Sequence, residues 1–184
     1  MQICDESGKD YASDYEAVID LLPVKPHQII PDDFKLIFNI WNALRGERMA
    51  PTWPEIDLMK FPFERISRCA VVDFDAAAGD FNYRFWGSEI TDLHNQELSG
   101  KSILTLKPRD VAEHVVIQYY RTMEAKAPGL FINHLTSAYG VRIEEIALRL
   151  PLSSDGLGVD QFLCVFDFSK DLGGYQARLG ETNI

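Results

Sequence analysis

The chain has 184 residues, 46% hydrophobic and 25% charged, which suits one globular domain with a sizeable buried core. Its 18 Lys and Arg are outnumbered by 28 Asp and Glu, for a net charge of −10. Such a surface repels polyphosphates, so nucleic-acid binding and docking to anionic membranes are excluded as expected functions. Three cysteines (Cys4, Cys69 and Cys164) with no C-x-x-C spacing give neither a disulfide framework nor a zinc ribbon. With no basic, apolar leader and no run of about 18 apolar residues, they point to a soluble protein in the reducing cytoplasm.

Residues 1–31 read as an acidic N-terminal extension, in which a short apolar piece from Ala17 to Leu22 could dock. Pro23, Pro26 and Pro31 break any helix there. Asp32 reads as the N-cap of a helix over 32–46, with Phe34, Ile37, Phe38, Trp41 and Leu44 at helical spacing and Gly46 as its stop. Leu36, Ile40 and Ala43 widen that stripe beyond what one contact surface needs. The helix is therefore expected to lie on its own sheet and also against a second copy, with Phe38 and Trp41 anchoring a homodimer.

After a proline-broken connection, residues 69–74 and 81–86 read as a hairpin of strands around the turn Asp75–Asp80. On the second strand Phe81, Tyr83 and Phe85 share one face by parity, and Asn82, Arg84 and Trp86 the other. Residues 88–95 read as a short helix, and Pro108 opens a longer one that Pro128-Gly129 ends. Three further strands follow over 130–138, 141–150 and 161–168, and residues 170–184 form a polar tail. Helices between two groups of hairpin-linked strands imply an α+β fold with an antiparallel sheet.

No catalytic signature stands out. Gly100-Lys101-Ser102 lacks the first glycine of a phosphate-binding loop, whose place is held by Asn95, so Gly100 is read as a turn residue. His27, His94, His114 and His134 show no metal-ligand spacing. His134 stands out because it shares strand parity with Leu130 and Ile132, where a polar ring needs a partner. Glu144-Glu145 reads as the solvated edge of a strand.

Five motifs in order resemble a PAS domain, and more narrowly the single-PAS-domain family common in alphaproteobacteria. They are "IFNIWNALRGERMAPTWPEID", "YRFWGSEI", "ELSGKSI", "EEIALRLPLSSDG" and "FLCVFDF". The resemblance implies a PAS-like (profilin-like) five-stranded antiparallel sheet over 32–169, with helices on one face and the N-terminal helix on the other. It also implies a pocket between helices and sheet, a non-enzymatic sensory role, and output through a dimer or a protein partner. The Asn-Cys-Arg-Phe motif of the flavin-binding photoreceptor relatives is absent, and His114 sits on a polar edge, so neither flavin nor haem is expected. The expected ligand is a small organic molecule, with Tyr83, Arg84, His94, Tyr119 and His134 as polar contacts. Phe85, Ile90, Leu93, Val115, Tyr119, Ile132 and Leu148 are the expected walls. Parity allows only one of Tyr83 and Arg84 to face inward. Two other readings remain open: a small α+β enzyme with His134 or Asp73 as a base, and a ligand-free dimerisation scaffold.

Overall fold

A computed structural model describes residues 18–21, 31–136 and 142–169. The remainder of the N-terminal extension, the expected turn at Gly140 and the C-terminal tail lie outside the described residues.

Six strands form one antiparallel sheet: β1 (Val18–Leu21), β2 (Cys69–Asp75), β3 (Asp80–Trp86), β4 (Gly129–Thr136), β5 (Arg142–Leu152) and β6 (Gln161–Ser169). Their order across the sheet is β1-β4-β5-β6-β2-β3. Strands β2 to β6 are the five expected. The sixth, β1, is the apolar piece of the extension, paired on the edge of β4 with Val18 opposite Ile132 and Leu21 opposite Gly129. The helices are α1 (Asp32–Arg45), α2 (Phe63–Ile66), α3 (Ser88–His94) and α4 (Arg109–Ala125).

Helix α1 lies on one face of the sheet, as expected. Phe34, Ile37 and Trp41 recur on its buried side and pack with Val71, Leu148, Leu150 and Leu163. Trp41 Nε1 donates to the Pro151 carbonyl oxygen at 2.8 Å, fixing the helix to β5. Pro31, not Asp32, occupies the N-cap position. Asp32 and Asp33 fill the first turn instead, where carboxylates oppose the helix dipole. Arg65 clamps the helix start by pairing with Asp33 and with Asp167 of β6.

The "LRGERMAPTWPE" motif becomes a clasp at the other end of α1. Gly46 turns the chain out at φ +54°, a torsion that favours glycine. Arg48 then reaches back, Nη2 donating to the Leu44 carbonyl oxygen at 2.6 Å. The same guanidinium grips both oxygens of Glu55, at 2.7 and 3.0 Å. Glu55 in turn accepts from the Thr52 backbone N–H at 2.8 Å. The paired guanidinium holds the Glu55 carboxyl down at about 2.

The opposite face is covered by α3, α4 and a 3-10 turn at Ile103–Thr105, over a core that includes Phe81, Tyr119, Phe131 and Phe162. Gly100 is a turn residue at φ +75° and not a phosphate cradle. Its N–H donates to the Tyr83 carbonyl oxygen at 2.7 Å, and Tyr83 N–H donates to Lys101 at 2.9 Å. Ser102 caps the 3-10 turn that follows. Gly-Lys-Ser thus pins the backbone of Tyr83. Helix α4 ends at Lys126, in the left-handed region, just before the expected Pro128-Gly129 stop.

Strict alternation fails on β3. Val71 is opposite Phe85 and Val72 is opposite Tyr83, so Arg84 is the extra residue of a β-bulge. One inserted residue reverses the facing of everything after it. Phe81, Tyr83 and Trp86 therefore share the helix-covered face, and Phe85 turns to the α1 side. Cys69 and Cys164 are free, buried and on opposite faces. Burial pushes the Cys69 thiol up to about 12.

Candidate functional site

Between α3, α4 and the sheet lies a cavity of about 30 Å3, room for a water or two. Aromatic rings fill most of the space around it. Tyr83 and Trp86 have centroids 4.5 Å apart, and Phe81 and Tyr119 are 5.2 Å apart. Ile90 and His94 line the cavity from α3, Val111, His114 and Val115 from α4, and Tyr83 and Trp86 from β3. The sheet contributes Asn133 of β4, Glu145 and Arg149 of β5, and Phe166 of β6.

The last group is unusual for a core. Arg149 is 0% exposed and Glu145 4%, both on the central strand β5, with Ala147 between them on the same face. Arg149 Nε and Nη2 donate to Gln118 Oε1 at 3.0 and 2.6 Å. Gln118 Nε2 donates to Asn133 Oδ1 at 2.6 Å, and Asn133 Nδ2 donates to Glu145 Oε1 at 2.8 Å. The order of this chain follows from chemistry. A guanidinium only donates, so the Gln118 oxygen must face it, which aims each following amide N–H at the next acceptor. Tyr119 supports Arg149 from beneath, with the guanidinium carbon 4.2 Å from its ring centre and its hydroxyl 3.1 Å from Cys164 Sγ. Burial pushes the Glu145 carboxyl and the Tyr83 and Tyr119 hydroxyls up.

Of the expected contacts, Tyr83 and His94 line the cavity. Arg84 does not: it points outward and pairs with Asp73 at 2.7 Å. Tyr119 is one layer deeper, under Arg149. His134 sits on β4 opposite Glu144, and its side chain lies outside what is described. Leu130 and Ile132, with which it alternates in step, belong to the α1 face. Ile90 and Val115 are walls as expected, whereas Phe85, Ile132 and Leu148 face α1, and Leu93 and Tyr119 are not among the lining residues. Glu144 and Glu145 are both buried rather than a solvated edge, because β5 is central in the sheet.

Sequence reasoning missed Arg149, Gln118, Asn133 and Glu145. The available signal was "EEIALRL": Glu145, Ala147 and Arg149 share one strand face, opposite Ile146, Leu148 and Leu150. Two charges on one face of an otherwise apolar strand need either solvent or each other's company. His94 and His114 reach the cavity from different helices, and among the described residues no three His, Cys, Asp or Glu side chains are arranged to hold a metal.

His94 gives a pH expectation. Burial lowers its pKa from 6.5 to about 4. The unfolded chain then binds a proton that the folded chain refuses, so stability present above pH 6.5 falls as pH drops towards 4. A loss on the order of 3 kcal/mol is expected across that window. Glu145 acts in the opposite sense, its raised pKa costing stability as pH rises above its ordinary 4.5. Urea melts of wild type and His94→Gln at several pH values check this, and parallel pH curves for the two would contradict it.

A few polar groups thus converge on a small cavity held between helices and an antiparallel sheet. Residues 32–166 match the PAS-domain family, well over half of the chain, and the chain belongs to that family. PAS domains are generally a sensory, non-enzymatic fold. No curated protein and no solved structure gives a significant match. No described helix is long and apolar enough to cross a membrane.

Proposed function

We propose that this chain is a sensory or signalling module that admits a small organic molecule to the cavity beneath α3 and α4. Occupancy is passed on by protein contact, either across a homodimer or to a signalling partner. The observation that carries this is the Arg149–Gln118–Asn133–Glu145 chain. Three of those four polar side chains line the cavity, inside a core that is largely aliphatic and aromatic. A core built only for stability would gain by replacing them with apolar groups.

Catalysis is not part of the proposal. Asp73 is engaged with Arg84, and β2 stands three strands from β4, with Asp73 level with Gln161 of β6 and His134 level with Ser169 at its other end. Neither flavin, haem nor metal is included, and a cytoplasmic setting fits the two buried free thiols. For the dimer, the outward stripe of α1 is the contact we favour: Leu36 is 48% exposed, Ile40 half-buried and Ala43 exposed. The test is denaturation of the purified full chain and mass spectrometry of what is released, with a visible spectrum beforehand. A small molecule recovered unchanged in near-equal amount is expected. Conversion of that molecule by the native protein would replace the sensor with an enzyme. Neither release nor any thermal shift with added metabolites would leave a scaffold.

A further inference from the structure

We infer that the cavity takes a small anion, a carboxylate held by the guanidinium of Arg149. This rests on the cavity being the sensory input and names the chemistry of what enters it. Arg149 is fully buried, and among the described residues no carboxylate oxygen lies within 4.0 Å of it. It stays a cation across the physiological range. Burying a cation without an ion-pair partner costs several kcal/mol unless something in the site offsets it.

Neutral groups supply part of that offset. The rings of Tyr119, Phe131 and Phe166 lie 4.2, 5.7 and 5.9 Å from the guanidinium carbon. Gln118 Oε1 accepts two of its N–H bonds, and Cys164 Sγ a third, at 3.4 Å. A guanidinium has five N–H groups, so two remain without a partner among the described residues. Glu145 is the acid of the site, but its Oε1 is joined to Arg149 only through the two amides of Gln118 and Asn133. The remaining rim consists of Tyr83, His94 and His114, groups that donate or accept hydrogen bonds without opposing an anion when neutral. A carboxylate that displaces cavity water would meet the two free N–H groups in a low-dielectric site, where charge-assisted bonds are strongest. The volume of about 30 Å3 limits the guest to a small one.

The test uses the full chain labelled with 15N and 13C. The Arg149 Nε–H resonance and the methyl resonances of Ile90 and Val115 are followed during titration with sodium formate and sodium acetate. Acetamide serves as the neutral counterpart and sodium chloride as the ionic-strength control. A saturable shift at Arg149 with formate or acetate, absent with acetamide and chloride, is expected. Arg149→Gln should weaken that response by about tenfold or more, the loss of a charge-assisted pair. If that variant does not fold, the wild-type resonance decides alone. Saturation of the cavity methyls by acetamide without a carboxylate response overturns the anion and leaves the sensory pocket standing. No saturable response to any of these compounds overturns the anion, and an empty release experiment with it removes the pocket as well.

Discussion

Alanine at Gly87 is expected to destabilise the fold by about 3 kcal/mol or more, the upper range for forcing atoms into a packed site. A Cβ there would stand 2.2 Å from the Ser67 carbonyl oxygen, 2.7 Å from its carbon and 2.9 Å from the Cys69 oxygen. All three are backbone atoms, so no side chain can rotate away. The φ of −68° at Gly87 suits alanine, so the cost is steric and not torsional. The contact is close because Gly87 N–H donates to Cys69 at 3.0 Å and Glu89 N–H to Ser67 at 3.0 Å. Separating the strands breaks both bonds and displaces α3, which carries Ile90 and His94 to the cavity. Urea unfolding of Gly87→Ala measures the loss. Gly158→Ala is the control, because nothing lies within 4 Å of a Cβ there. Equal midpoints for the two variants would refute the steric account.

Trp41→Ala should cost about 3–5 kcal/mol, the usual range for removing a fully buried large aromatic. Its ring is 2% exposed, lies among the side chains that join α1 to β5, and holds the Pro151 oxygen through Nε1. Trp41→Phe keeps most of the packing and loses the hydrogen bond, for about 1–2 kcal/mol. The burial of Trp41 and its bond to Pro151 correct the role expected for it. It anchors the helix to its own sheet, so Trp41→Glu unfolds the chain and reports nothing about a dimer. Phe38 is only half-buried beside it, with ring centroids 6.1 Å apart. The dimer is tested instead by Leu36→Glu with Ile40→Glu, on the outward stripe. Light scattering should show monomers of that variant with wild-type helicity, and a wild type already monomeric at high concentration would end the dimer proposal.

The elements of this chain were legible because their signals are local. The 3.6-residue recurrence of Phe34, Ile37 and Trp41 marks α1, and apolar runs bounded by turn residues mark β2, β4, β5 and β6. Glycine at Gly46 and Gly100 marks turns that need positive φ. The order of motifs was enough for the family and for the layered α+β architecture. Tyr83 and His94 were reachable too, as polar residues flanking apolar runs. The bulge at Arg84 was not. It depends on how β2 pairs with β3, and no residue type there demands an extra position. It alone sends Trp86 to the cavity and Phe85 away from it. Likewise, an acid and an arginine four apart read as a solvated strand face until the sheet order places β5 between β4 and β6. Only then are Glu145 and Arg149 buried, with Gln118 of α4 and Asn133 of β4 close enough to join them. Helical and strand periodicity is set by each residue's near neighbours, whereas the burial of a charge is set by which distant segments cover it.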